Sequence, residues 1–257
     1  MVNLVYAEFL KFKRKRIFTL GILAAFIFPF FNAAILAEPD FADIQSGVRE
    51  DNAFLFLMPL LIILAVNLFF AELENNTLKN LLCIPVSKIK LVLVKLLVLL
   101  IFSIAFQITG FFISTIYAVS QDIPVVQPLF QFYLTASTGM LMWAASLPCI
   151  VLVVWFNKSS ILSVIIVFFY TLLNYTMHFS DHIMMQPIGF HTGTLMPVPM
   201  IFRWLYQFYT PSGDVQTAFY QRFSQYFAST SECFSILLLE AIICIVCMIR
   251  IYSGREY

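Results

Sequence analysis

Six stretches of between 17 and 30 residues run through the chain almost without charge, at 17–37, 53–71, 91–120, 129–156, 161–177 and 233–251. A helix of about 20 mostly apolar residues, rising about 1.5 Å per residue, crosses the about 30 Å of hydrocarbon in a bilayer. The stretches therefore predict an all-α integral membrane protein with six transmembrane helices, forming one domain over residues 1–257. Composition points the same way. Apolar residues make up 61% of the chain and charged ones 11%, against about 45–50% and about 25% in soluble domains. So little charge cannot cover a water-facing surface. The third stretch is long enough to tilt, with Lys95 placed to snorkel back to the headgroups. Pro148 is expected to kink the fourth. The first is not expected to be a cleaved signal, because its 21 residues exceed the roughly 7–15 of a signal core.

Orientation follows from the basic residues. With the amino terminus in the cytoplasm, Lys11, Lys13, Arg14, Lys15, Arg16, Lys79, Lys88, Lys90, Lys95, Lys158, Arg250 and Arg255 lie inside. That is twelve of the fifteen, leaving Arg49, Arg203 and Arg222 outside. Cytoplasmic flanks carry the excess of Lys and Arg in membrane proteins, so both termini are expected inside. Among the acids, Glu38, Asp40, Asp43, Glu50, Asp51, Asp122, Asp181, Asp214 and Glu232 then fall outside. The run 11–16 reads as an orientation signal attracted to anionic lipid, not as a nucleic-acid patch.

The extracellular segment 178–232 is dense in Met, Pro and aromatic residues. Loops of this length are functional or carry structure of their own. Short interfacial or re-entrant helices at the outer leaflet are expected, with backbone at membrane depth covered by protein or lining a wet cavity. His178, Asp181, His182 and His191 lack a fourth ligand at helical spacing, and Cys244-x-x-Cys247 has no second pair, so no metal site is expected. Cys83, Cys149 and Cys233 read as packing residues. None of the eight glycines begins a phosphate-cradling Gly-x-x-x-x-Gly-Lys-Ser/Thr. No His-Glu-x-x-His, Gly-x-Ser-x-Gly or paired carboxylates occur either, so no catalytic residue and no cofactor are expected in this chain. ATP and Mg, if used, would be bound by a partner.

The 72–88 stretch between the second and third spans reads Glu72-Leu73-Glu74-Asn75-Asn76-Thr77-Leu78-Lys79-Asn80-Leu81-Leu82-Cys83-Ile84-Pro85-Val86-Ser87-Lys88. Leu78, Leu81 and Leu82 share one helical face, and acids leading a lysine suit the helix dipole. Pro85 ends this short helix and Ser87 can cap the next span. An ordinary interfacial connector and a piece that receives a partner's push fit these features equally. The stretch resembles the ABC-2 type membrane proteins at Glu72, Glu74, Thr77, Leu81, Leu82, Pro85, Val86, Ser87 and Lys95, with Asn76 in place of the family's Gly. Residues 8–14 resemble the family's amphipathic lead-in. The resemblance implies a six-span half-transporter that pairs with a second permease, identical or related, and binds two copies of a cytoplasmic ABC ATPase. Glu72, Glu74, Thr77, Lys79, Leu81, Leu82 and Pro85 would form the ATPase-coupling surface. Within the family, length and apolar character look most like the branch that exports, or confers immunity to, lantibiotics, bacitracin and related membrane-active peptides at the bacterial cytoplasmic membrane.

Polar residues inside the spans are the remaining candidates. Glu240 in the sixth span costs about 2.5–3.5 kcal/mol on insertion scales, so it is protonated, paired or facing a wet cavity. Asn67, Gln107 and Asn174 suit interhelical hydrogen bonds, with substrate contact or gating as the other role. The reading that results is the permease subunit of an ATP-driven exporter. It would move amphipathic peptides or lipid-like compounds between two protomers. An intramembrane lipid-modifying enzyme would need His, Asp, Glu or Cys converging at one depth. A secondary transporter would show repeats and interrupted helices.

Overall fold

In hydrocarbon a backbone can satisfy its N–H and C=O groups only within a helix or a closed barrel, and the long apolar stretches here take the helical solution. The structure, a computed structural model, describes residues 2–13, 16–35, 40–74, 87–156, 160–209 and 214–254, and no strand occurs among the described residues. The amphipathic lead-in is α1 (Val2–Lys13), followed by α2 (Arg16–Ile35). Next, α3 (Phe41–Gly47) continues into a π-helical section, π1 (Val48–Leu57), and then α4 (Met58–Glu74). The long helices α5 (Lys88–Ser120) and α6 (Pro128–Phe156) precede α7 (Ser160–Met177). Four short helices follow, α8 (Asp181–Met184), α9 (Thr192–Leu195), α10 (Pro197–Leu205) and α11 (Asp214–Phe223), and then α12 (Thr230–Ser253).

Four helical stretches are long and apolar enough to cross a membrane, namely Phe41–Phe69, Lys88–Ser120, Pro128–Phe156 and Thr230–Ser253. The expected first and fifth spans fall on shorter apolar helices, Phe18–Phe31 and Leu162–Met177. The second span begins well before residue 53. Asp40 accepts from the Asp43 backbone N–H at 2.7 Å while Asp43 accepts from that of Asp40 at 3.3 Å. This reciprocal capping box starts the helix at Phe41 and draws the charged residues 49–51 into the span. A matching box between Ser229 and Glu232 starts α12. Ser87 caps α5 as expected, accepting from the Lys90 N–H at 3.3 Å. At 33 residues α5 is about 50 Å long, more than the hydrocarbon requires. α6 runs through Pro148 without a break.

At the centre α5 packs on α6, which is flanked by α4 and α12; α1 and α2 lie against α5. The core between them is apolar, with Val92, Leu99, Ala145, Leu147 and Ile150 buried. α12 turns Leu238, Leu239, Ile242, Ile243 and Val246 outward, as α7 does Ile165, Phe168, Phe169 and Leu172. Such faces suit lipid, which is as apolar as they are. At one end of the bundle the Lys88 Nζ donates to the Ser253 carbonyl at 3.4 Å. The opposite end is closed by residues 178–209 and 214–229, called the cap below.

The cap packs into the bundle. Every residue of α10 is buried, against α6, α7 and α12. Arg203, wholly buried, holds it. Its Nε donates to the Tyr226 carbonyl and its Nη2 to the Gln186 carbonyl, each at 2.8 Å, so both arms of the cap hang on one side chain. The Trp204 Nε1 donates to Thr230 Oγ1 at 3.1 Å, and Gln207 donates to the Trp204 and Ala228 carbonyls. Lys95 also departs from expectation. It is fully buried, donating to the Leu68 carbonyl at 2.5 Å and lying over the Phe69 ring at 5.1 Å. A carbonyl and an aromatic face near the end of α4 replace the headgroups that snorkelling would have sought.

Candidate functional site: a buried polar seam

Three elements carry polar residues at helical spacing on the faces they turn to one another. Gln45, Arg49 and Asn52 lie on α3 and π1; Ser103, Gln107, Gly110 and Ser114 on α5; Gln131, Thr135 and Thr138 on α6. All are buried. The Gln45 Nε2 donates to Ser114 Oγ at 2.8 Å. The Arg49 Nη1 donates to Gln131 Oε1 at 2.5 Å. Asn52 and Val48 sit over Gly110, where an added Cβ would come 3.3 Å from Asn52 Nδ2 and 2.9 Å from Val48 Cγ1. Opposite, α6 closes on α5 at Gly139, whose missing Cβ would lie 3.4 Å from Gln107 Cγ. The Ser103 hydroxyl donates to the Gly139 carbonyl at 2.6 Å. These contacts join the three elements along one continuous polar seam.

The seam begins where the helix widens. A π-helical section bonds i to i+5, alters which residues share a face, and occurs frequently at functional sites. The four consecutive residues 49–52 point different ways. Arg49 and Asn52 point into the seam, while Glu50 points toward the cap and Asp51 toward α7. Burial and the Glu50 carboxylate raise the phenols of Tyr206, Tyr209 and Tyr220 above their ordinary range, so all three lie within electrostatic reach of Glu50. Asp51 pairs with the Tyr175 hydroxyl. The Arg49 guanidinium carbon lies 6.0 Å from the Tyr209 ring centroid, tying seam to cap.

A stack of rings continues this junction. Phe54 of π1 stacks on Phe202 at 4.4 Å, and Phe202 on His178 at 3.8 Å. The His178 Nδ1 donates to the Tyr175 carbonyl. Burial lowers the His178 pKa from its ordinary 6.5 to about 4. The unfolded chain therefore binds this proton below pH 6.5 and the folded chain only below about pH 4. Stability is expected to be full above that window and to fall by about 3 kcal/mol across it as pH drops. Thermal melts at pH 7 and pH 4 check this, and His178→Phe should flatten the difference.

Of the expected polar candidates, only Gln107 belongs to the seam. Asn67 on α4 donates to the Ile63 carbonyl of its own helix at 2.9 Å, and Asn174 on α7 to the Tyr170 carbonyl at 3.1 Å. Glu240, half-buried, has an Oε2 without a hydrogen-bond partner; Tyr170, Cys233 and Cys244 are near enough to feel its charge. The four are not brought together. Of the expected coupling residues, Glu72 and Glu74 lie in the last turn of α4, their side chains outside the description. Thr77, Lys79, Leu81, Leu82 and Pro85 lie outside the described residues. Gln45, Arg49, Asn52 and Gln131 escaped the sequence reading. The Asp40-x-x-Asp43 box was the signal that could have placed the first three on a helix. Among the described residues, no group of three or more His, Cys, Asp or Glu is placed to hold a metal ion.

Long apolar helices around a buried polar seam define a multi-pass membrane protein. The chain belongs to the ABC-2 family: the family model described as "ABC-2 family transporter protein" matches residues 4–174, which run from α1 through most of α7 and contain the whole seam. No curated protein matches the chain. Membership makes the chain a membrane component of an ABC transporter and implies pairing with an ABC ATPase. The cap and α12 lie beyond the matched residues.

Proposed function

We propose that this chain is the permease subunit of an ATP-driven exporter that carries amphipathic peptides or lipid-like compounds out of the bacterial cytoplasmic membrane. Antimicrobial-peptide export or immunity, of the lantibiotic or bacitracin kind, is its biological setting. The observation that carries the reading is a buried polar seam lying wholly inside the stretch that matches a transporter family. Polar groups inside a membrane domain are costly and mark substrate or ion paths. In this reading six helices span the membrane with both termini in the cytoplasm, and the cap lies outside. The twelve-to-three basic asymmetry of the sequence supports that orientation. Two permeases, identical or related, associate and engage two ATPase subunits, which bind the ATP and Mg. No catalytic residue or cofactor resides in this chain.

Coupling is assigned to Glu72, Glu74, Thr77, Lys79, Leu81, Leu82 and Pro85. α4 leads directly from π1 and the seam to Glu72 and Glu74 at its far end, so a push there travels along a helix that reaches the polar residues. The permease co-expressed with its neighbouring ATP-binding subunit is expected to co-purify with it. Replacing both Leu81 and Leu82 by Asp should abolish that association while the permease still reaches the membrane. A wild-type permease that purifies without any ATPase under these conditions would defeat the assignment.

A further inference from the structure

The short side chains of the seam are satisfied by backbone carbonyls, mostly of their own helix. Ser103 donates to the Gly139 carbonyl, Ser114 to that of Phe111, Thr135 to that of Gln131 and Thr138 to that of Leu134. The long side chains are not fully satisfied. Gln45 Oε1, Arg49 Nε, both amide atoms of Asn52 and both of Gln107 are buried without a hydrogen-bond partner. Asn52 and Gln107 are completely buried. A buried donor or acceptor left unpaired costs about 1–3 kcal/mol, so a concentration of six such atoms in one seam points to something that pairs with them in the working cycle.

The unpaired atoms also describe the ligand. Three are donors (Arg49 Nε, Asn52 Nδ2, Gln107 Nε2) and three are acceptors (Gln45 Oε1, Asn52 Oδ1, Gln107 Oε1). Exchanging oxygen and nitrogen in the Asn52 or Gln107 amide leaves this balance unchanged, because both atoms of each are unpaired. A phosphate would leave the acceptors empty and an ammonium the donors. A peptide main chain brings one donor and one acceptor per residue. From Gln45 to Asn52 the seam extends about 10 Å along the helix, which matches about three residues of extended peptide. The carboxylates of the same stretch, Glu50 and Asp51, face tyrosines of the cap and of α7 and do not compete.

We propose that the seam between π1, α5 and α6 binds the main chain of the transported peptide, with Asn52 and Gln107 as its principal hydrogen-bonding residues. The proposal rests on the exporter reading for the transport of a peptide and for its direction. Val48 and Asn52 pack closely over Gly110, so the peptide enters as π1 separates from α5.

The test uses the full chain in lipid nanodiscs without ATPase, so its outcome is independent of whether an ATPase co-purifies. One fluorescent probe is an uncharged N-lauroyl (Gly-Ala)3 amide; the other is a monoglucosyl diacylglycerol. Asn52→Leu and Gln107→Met keep side-chain volume and remove the unpaired groups. The wild type is expected to bind the lipopeptide, and each variant to bind it about tenfold more weakly or worse, with a melting temperature unchanged or raised. Lowered melting temperatures in both variants would show that the amides join helices, overturning the proposal. Unchanged lipopeptide binding in folded variants would leave the amides to structural water. Absent lipopeptide binding in the wild type, or selective loss of the glucolipid, would also overturn it.

Discussion

Arg203→Met is expected to detach the cap from the bundle. The substitution keeps much of the apolar stem but removes two hydrogen bonds from a charged donor, to the Tyr226 and Gln186 carbonyls. Each such bond contributes about 1.5–3 kcal/mol, and both carbonyls lose their side-chain partner, so the loss is about 3–6 kcal/mol. The two carbonyls lie on opposite flanks of α10, and no smaller side chain reaches both. Burial also holds the guanidinium pKa below its usual value, a cost the native geometry meets through these bonds. Limited proteolysis should open cleavage sites between residues 206 and 229, with a lowered melting temperature in detergent. Arg203→Lys should recover part of the loss, since an ammonium supplies donors without the fork. Cleavage no faster than in the wild type would refute this role.

The second large effect is expected at Gly139. A Cβ there would stand 3.1 Å from the Ile104 Cα and 3.1 Å from the Ser103 carbonyl oxygen. Both are backbone atoms and neither can rotate away. Gly139→Leu forces α5 from α6, breaks the Ser103 bond to the Gly139 carbonyl and opens the seam. The cost should exceed the about 1–3 kcal/mol usual for an overpacked core, where side chains absorb part of the strain. The expected result is loss of monodisperse protein on size exclusion, with Gly139→Ala intermediate. Gly21 supplies the control. Its added Cβ would meet Leu60 Cδ2 at 2.6 Å and Phe102 Cζ at 3.2 Å, both ends of movable side chains, so Gly21→Ala should remain folded.

Much of the bundle was legible because lipid imposes a simple rule. Long apolar stretches must become helices, and the centres of α5, α6 and α12 were found at nearly the right residues. The start of α5 was legible too, since Ser87 is a local cap that needs no tertiary partner. The helix that carries the second apolar stretch starts earlier than hydropathy alone predicts, because three charges at 49–51 read as solvent-exposed. Their contacts with Gln131, Tyr209 and Tyr175 come from residues 82 to 159 positions away along the chain, which no local window contains. Lys95 was sent to the headgroups for the same reason, its acceptor being the distant Leu68 carbonyl. Gln107 could be named as a polar residue in a span, but Asn52, its counterpart across Gly110, was counted in a loop.

The sequence by itself determined that the chain lives in lipid and where its long apolar helices run, because hydropathy is a local property summed along the chain. Tertiary structure alone decided that Arg49, Glu50, Asp51 and Asn52 belong inside the bundle. It also decided that these four residues point different ways, and that one arginine ties both arms of the cap to the rest. Those outcomes depend on which distant carbonyl, amide or ring stands opposite, and only the packing of helices against one another supplies that.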